Sequence, residues 1–418
     1  MKKLSVLLFS SILDKKIYDE FDEVLGTLKD IYVTTDEGYP RVIGYKVKRD
    51  MSTFHYEFRS VIFLQNDNKV KIMTRGSKEI LPRRYSYLLS EHLLDKKIVD
   101  INGKQVVRVD DLRIAEIAGE YRVIAVETGP MARARRFGLL NVGKLIYKTL
   151  HKDFEDKVLM WDDVESLEMV NNNLQIAIPY KKLSTLHPAD LADILEDLDS
   201  NSRKKIFEFI DEDLAADALE EIDPEYKGAI IKDISEAKAA ELLENMPNDE
   251  IADFLDELDD DEREKILINL EAEDANEVKE LLQYDDETVG SIMSKEFISF
   301  NIDITIGEII EILRETEPED EQLNSIFITD EDERVLGILT LKDLIMNTPE
   351  TKAREAMNEN TNVIRHFVDI NEAIEIVSKY DLLSIPVVDD NDVLIGSVNT
   401  HDLIDEFLYP MWKKKNKF

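Results

Sequence analysis

Ala192-Asp-Ile-Leu-Glu-Asp-Leu-Asp199 returns in altered form as Lys204-Lys-Ile-Phe-Glu-Phe-Ile-Asp211, Ala216-Asp-Ala-Leu-Glu-Glu-Ile-Asp223 and Gly228-Ala-Ile-Ile-Lys-Asp-Ile-Ser235. It returns again as Ala240-Glu-Leu-Leu-Glu-Asn-Met-Pro247, Ala252-Asp-Phe-Leu-Asp-Glu-Leu-Asp259 and Glu264-Lys-Ile-Leu-Ile-Asn-Leu-Glu271, always at an interval of 12 residues. Each copy is apolar at its third, fourth and seventh places. That i, i+1, i+4 spacing is one face of a helix. The period leaves room for a helix of roughly two turns and a short connection. Helices this short do not persist alone, so neighbours must stack to bury their stripes. The remaining places are mostly Asp and Glu, which gives the stack an acidic exterior.

The chain has 418 residues, room for three or four domains, and 43% hydrophobic content supplies their cores. Its 90 acidic and 52 basic residues give a formal net charge of −38, which excludes nucleic acid as a partner. Between Asp190 and Glu287 there are 36 acidic and 9 basic residues, so much of the excess belongs to the helical repeats. Such a face is either solvated or built for cations, its compact state depending on them. The absence of cysteine excludes disulfides and thiolate chemistry and fits a reducing cytosol. No apolar run approaches the roughly 18 residues needed to span a bilayer. The two lysines and short apolar stretch of Met1–Leu13 lack a small-x-small cleavage site. The six histidines are scattered, and HExxH, GxxxxGK[ST] and GxSxG are missing, so no enzyme is expected.

A second repeat opens the chain. Leu13-Asp-Lys-Lys-Ile17 returns as Leu94-Asp-Lys-Lys-Ile98, and Asp30 then falls in register with Asp111. The segments between are β-like, punctuated by turn residues such as Asn102-Gly103. They predict two β-barrel-like units, residues 1–82 and 83–180, which resemble PRC-barrel domains. In the second unit Arg133, Arg135, Arg136, Lys144, Lys148 and Lys152 interleave with apolar residues. This stretch is either an amphipathic helix at a membrane surface or a linker helix facing acidic neighbours of its own domain. Val164–Val170 and Leu174–Ile178 read as further strands. His187-Pro-Ala-Asp190 then opens the helical domain, residues 181–286, with proline near a helix start.

A third repeat closes the chain. Ser291-Ile-Met293-Ser and Glu355-Ala-Met357-Asn start two halves, residues 287–349 and 350–418, each reading β-α-β-β-α. Pro386 stands in the second half's buried strand, and the halves end on Gly337…Asp343 and Gly396…Asp402. The pattern resembles a tandem CBS pair. The fold class is thus multidomain α+β, with N-terminal β-barrel-like repeats, an all-α superhelical repeat and a C-terminal CBS pair.

Together with Glu287-Thr-Val-Gly-Ser-Ile-Met293 and Lys379-Tyr-Asp-Leu-Leu-Ser-Ile-Pro-Val-Val-Asp389, this order is similar to the cytosolic half of MgtE-type magnesium channels over about residues 183–407. The resemblance implies a sensor in which Mg²⁺ holds the helical domain against the CBS pair and keeps a pore shut. The family's pore domain and connecting helix are not matched, apart from Asp405 and Glu406 at that helix's root. The expectation is therefore a soluble, cytoplasmic regulatory protein that is dimeric through its CBS pairs. It would sit peripherally at the inner face of the membrane and control a separately encoded divalent-cation transporter.

The family's ligand positions fall on Asp217, Asp249, Asp253, Asp369, Asp381, Asp402 and Asp405, while Asn371 stands where the family has an acid. Asp249 and Asp253, four apart, share one helical face. Mg²⁺ takes six oxygen ligands and usually keeps several waters beside one or two carboxylates. Two carboxylates about 4 Å apart repel by roughly 4 kcal/mol at an effective dielectric of 20, and a bridging divalent ion reverses the sign. Such a seam is a two-state element biased by its ligand. CBS clefts of this kind bind adenine nucleotides through a Ser/Thr-x-x-Asp ending, which Thr340 and Asp343 satisfy. Asn399 replaces the hydroxyl in the second half. An adenine-nucleotide-responsive scaffold is thus the alternative function, and a merely solvated acidic scaffold the third.

Overall fold

The computed structural model describes residues 2–34, 38–66, 69–80, 86–139, 156–167, 181–319, 322–359 and 361–415. Its contacts divide into two units, Met1–Ile222 and Asp223–Phe418.

The first unit is built on a curled sheet whose strands alternate buried and open positions, as half-buried strands must. Its centre runs β2 (Val24–Thr34), β3 (Arg41–Arg49), β6 (Glu120–Thr128), β5 (Asp111–Ile117), β1 (Val6–Leu8). The two sequence halves therefore share one sheet, joined at Arg41 opposite Arg122. They are also laced through one another. β1, from the first half, pairs with β5 of the second. β4 (Tyr87–Leu88), from the second, pairs with β2 of the first. Each crossing strand leads into a one-turn helix, α1 (Phe9–Ile12) or α2 (Leu89–His92). The shared core includes Phe9, Ile12, Leu28, Phe63, Leu89, Leu112 and Val123.

The basic stretch begins as α3 (Pro130–Arg136) and turns its charges inward. Arg133 Nε donates to Asp110 Oδ1 at 2.7 Å, Arg135 pairs with Glu127, and Arg136 Nη2 meets Asp95 Oδ2 at 2.5 Å. For these three arginines the acidic-neighbour reading holds. Lys144, Lys148 and Lys152 lie outside the described residues. Val164–Ser166 forms a strand against Lys97–Asp100, and the expected strand Leu174–Ile178 is also outside. Lys104 Nζ meets Asp190 Oδ2 at 2.5 Å and Lys97 Nζ donates to the Asp197 carbonyl at 2.8 Å, fastening the first repeat helix to this half.

The 12-residue period is kept throughout. In the first unit stand α4 (Pro188–Asp197), α5 (Ser200–Phe207) and α6 (Glu212–Glu220). In the second stand α7 (Pro224–Ile231), α8 (Glu236–Leu243), α9 (Asn248–Asp256), α10 (Asp260–Leu267) and α11 (Ala272–Leu281). Within each unit a helix packs against the next but one: α4 on α6, α7 on α9, α8 on α10, α9 on α11. The residues at the third, fourth and seventh places are buried in every copy except at Ile234. Part of the acidic excess is helix capping. Asp199 accepts from Ser202 N at 3.2 Å and Asp259 from Glu262 N at 3.1 Å, satisfying amides that have no partner inside the helix.

The CBS pair completes the second unit. β7 (Ile298–Asn301) runs parallel to β8 (Ile326–Thr329), which is antiparallel to β9 (Val335–Leu339). The second half repeats this with β10 (Ile364–Arg365), β11 (Ser384–Val388) and β12 (Leu394–Asn399). Helices α12 (Ile306–Thr316), α13 (Leu341–Met346) and α14 (Ala353–Ala356) belong to this region, as do α15 (Ile370–Tyr380) and α16 (Thr400–Lys415). The opening segments are exchanged here too: Ser294 pairs with Ser397 on β12, and Asn358 with Ile338 on β9.

Candidate functional site at the seam between helices and CBS pair

Within the second unit, α9 begins after Pro247 and has no capping side chain of its own. Glu296, from the segment leading into β7, stands near the Asn248 backbone N–H at that helix start, which favours its ionised form. An anion is favourable at a helix N-terminus. Gln322 Nε2 donates to Glu296 Oε2 at 3.0 Å, and buried Asn248 donates through Nδ2 to Glu277 Oε2 at 2.9 Å. The first contact lies within the CBS pair and the second within the helical repeat; Lys295 Nζ, meeting Glu280 Oε1 at 2.8 Å, ties α11 to the entrance of the CBS pair.

Asp249 is the next residue. The Ser294 hydroxyl stands near its carboxylate and favours the ionised form, and Ser294 N donates to the Ser397 carbonyl at 2.8 Å. The Asp249 Oδ1 atom is sealed from solvent and has no hydrogen-bond partner among the described residues. Burial, with Glu250 and Glu296 adding negative charge, pushes this carboxyl up to about 7. Asp253 follows one turn later. Burial pushes it up to about 8; Glu250, Asp249 and Glu406 of α16 press the same way, and Lys227 opposes them. Asp253 is exposed to water, which screens much of that push, so Asp249, half-buried with its Oδ1 sealed, is the firmer case. Glu296 is likewise raised, by burial and then by Glu277.

A buried carboxylate oxygen without a donor, among other carboxylates, calls for a proton or a cation. Its hard oxygen donors suit Mg²⁺. Among the described residues no group of three or more His, Cys, Asp or Glu is assembled to hold a metal, so an ion here would keep much of its water.

The other expected positions are separate. Asp217 is exposed on α6, its carboxyl raised by burial and Asp213 and lowered by His187. Asp369 and Asp381 bracket α15, whose 11 residues set them roughly 17 Å apart, too far to share an ion. Asp369 caps that helix, its Oδ1 accepting from Asn371 N at 2.8 Å and Asn371 Nδ2 at 2.9 Å. Asn371 thus engages the neighbouring acid. Asp402 Oδ2 accepts from Asn399 N at 3.2 Å. The Asp405 side chain lies outside the described residues. Thr340 and Asp343 form a reciprocal capping box on α13, with Thr340 Oγ1 donating to Asp343 Oδ2 at 2.7 Å. Sequence reasoning missed Ser294, Glu296, Glu250 and Lys227. None carried a clear signal in the sequence, since the column that holds Lys227 also holds Arg203 and Arg263.

This architecture defines a chain that joins a PRC-barrel module, a helical repeat and a CBS pair. The PRC-barrel domain family matches residues 5–79, the MgtE intracellular N domain residues 186–287, and the CBS domain residues 289–349 and 353–409. The magnesium transporter MgtE of Enterococcus faecalis is 33% identical over 134 residues, 32% of this chain and 30% of that protein. The MgtE of Thermus thermophilus is 33% identical over 129 residues, 31% of this chain and 29% of that protein. The chain thus spans under a third of the length of these relatives. A crystal structure of the soluble part of a magnesium transporter aligns with a TM-score of 0.52 at 28% identity, covering 54% of this chain and 90% of that one. The cytosolic domain of the Mg²⁺ channel MgtE in complex with ATP gives the same score and identity, covering 92% of its own length. Among the described residues no helix is long and apolar enough to cross a membrane.

Proposed function

We propose that the chain is a cytoplasmic Mg²⁺-responsive regulatory protein whose target is a separate divalent-cation transporter at the inner face of the membrane. Its role is regulatory, not catalytic. The observation that carries this reading is the sealed, donorless Asp249 Oδ1 on a helix that faces Ser294 and Glu296 of the CBS pair. Without a cation, ionised Asp249 and Asp253 face Glu250, Glu296 and Glu406, and the seam is strained. When bound, Mg²⁺ supplies the positive charge that turns this repulsion into attraction. Asp249 and Asp253 would hold it from α9, with water completing its shell. Ser294 and Glu296 orient α9 toward the site. Asp217, Asp369, Asp381, Asp402 and Asp405 would serve further ions, as in the family the chain resembles. The relatives named as magnesium transporters support the choice of ion and target. Small-angle scattering through a Mg²⁺ titration tests it: the radius of gyration contracts over millimolar Mg²⁺, and identical curves throughout would reject the reading.

The CBS pair would also make the protein a dimer. Leu341, Ile345 and Met346 on α13, and Ile404 and Phe407 on α16, leave apolar surface exposed. A second reading, adenine-nucleotide binding at Thr340 and Asp343, is favoured by the similar MgtE domain described in complex with ATP. It predicts a metal-independent rise in melting temperature with ATP, lost in Asp343→Ala.

A further inference from the structure

Lys227 lies in the second turn of α7 and is 5% exposed, although a lysine is almost never buried without an anion to answer it. In the other copies its place is held by Leu191, Arg203, Ala215, Ala239, Ile251 and Arg263. The two arginines close the end of the helix before them. Arg203 Nη1 donates to the Leu198 carbonyl at 3.0 Å, and Arg263 Nε to the Leu255 carbonyl at 3.0 Å. Lys227 does not repeat that contact. Among the described residues its ammonium makes no hydrogen bond or ion pair, and it stands 5.7 Å from the centre of the Phe254 ring. Phe254 is fully buried and adjoins Asp253, whose carboxylate feels the Lys227 charge. The cation thus lies against the buried Phe254 of α9, not on a helix end, and its charge reaches the neighbouring Asp253.

Resting on the reading of that face as the Mg²⁺ seam, we propose that Lys227 is a tethered counter-cation. It stands in for the divalent ion at Asp253 with a single fixed charge and so sets the Mg²⁺ concentration at which the seam closes. With Lys227 present, the metal-free seam is partly neutralised, which limits its repulsion and also weakens the pull on an incoming ion. Without it, the metal-free seam opens more readily, which pushes the midpoint up, while the ion binds more tightly, which pulls it down. Because Lys227 on α7 and Asp253 on α9 lie on the same side of the seam, their attraction survives opening, the change in ion affinity dominates, and the response moves to lower Mg²⁺. A purely structural lysine would change the first property and not the second.

The test uses the full chain and Mg²⁺ alone, at constant ionic strength, following chymotrypsin cleavage of the link between α11 and the CBS pair. Lys227→Met keeps the apolar stem against Phe254 and removes the charge. It should cleave faster without Mg²⁺ and reach protection at a midpoint roughly three- to tenfold lower than the native chain. Lys227→Gln should shift the midpoint the same way, and Lys227→Arg should stay within about twofold of native. A native response combined with unchanged or higher midpoints in both neutral variants overturns the proposal. A native chain that Mg²⁺ does not protect overturns the seam reading, and this inference with it.

Discussion

Asp30 and Asp111 occupy the same place in the two N-terminal halves, and each grips the short helix contributed by the other. Asp111 Oδ1 accepts from Ser10 N at 3.0 Å and Oδ2 from Ser10 Oγ at 2.5 Å, while Asp30 Oδ1 accepts from Ser90 N at 3.0 Å. Each carboxylate also holds the amide that follows it, at Leu112 or Ile31. The exchange makes the two halves one folding body. Asp111→Ala leaves two amides and a hydroxyl without their acceptor, at a cost of about 2–4 kcal/mol. Asp30→Ala should cost less, because Asp111 also faces Arg135 at 3.7 Å. Hydrogen exchange should show Asp111→Ala releasing residues 9–12, which belong to the other half; protection retained there would refute the exchange as a source of stability.

At the seam, proton and metal compete. Asp249 has an ordinary value of 3.8 and is pushed up to about 7 in the fold, so the fold favours its protonated form. Without metal, the stability that protonated Asp249 gives the seam is lost as pH rises from about 4 to about 7, and exposed Asp253, pushed up to about 8, extends the loss to a lesser degree. Mg²⁺ needs the ionised form. Its midpoint for protecting the seam should therefore be roughly tenfold higher at pH 6 than at pH 8, for one competing proton. Asp249→Asn should weaken that dependence and leave only the part carried by Asp253. A native midpoint that does not move with pH would count against ionised Asp249 as the ligand.

The CBS halves are interlocked by glycine and methionine. A Cβ at Gly337 would lie 2.7 Å from Met357 Sδ, and one at Gly396 would lie 2.9 Å from both Met293 Sδ and the Ser294 carbonyl. Each methionine opens one half and packs on the closing strand of the other. Gly396→Ala should destabilise the pair by about 1–3 kcal/mol. It should also loosen Ser294 and, through it, Asp249. Thermal melting with and without Mg²⁺ reads both effects; a variant as stable and as metal-responsive as the native chain would contradict this link.

Ile345, 80% exposed on α13, is the most open of the apolar CBS side chains proposed to meet a second copy. Ile345→Asp should shift the protein from dimer toward monomer in analytical ultracentrifugation while leaving its circular dichroism unchanged. Dimers that persist undiminished would place the contact elsewhere.

The helical period was readable because each copy repeats the same burial problem; only α11 escaped, where Lys279 interrupts the apolar stripe. The meaning of the acids was harder to read. Asp199, Asp259 and Asp369 look like Asp249 in sequence, yet they cap helices, whereas Asp249 is singled out by what the CBS segment places against it. Ser294 and Glu296 could not be found from spacing, since their role comes from a contact across elements. The lacing of the N-terminal halves was hidden for a related reason. A repeat reveals that two copies exist, but not which strand of one pairs with which strand of the other. The charge pattern of α3 was visible, but Asp110 and Glu127, which answer it, are neighbours only in the folded sheet.

Hydrogen exchange at residues 248–256 and 294–297, followed through a Mg²⁺ titration of the native chain and of Asp249→Asn/Asp253→Asn, tests the seam most directly. The account predicts that Mg²⁺ slows exchange in both segments of the native chain. It predicts that the neutral double variant is protected from the start and indifferent to the ion. Native segments that exchange at the same rate with and without millimolar Mg²⁺ would contradict it.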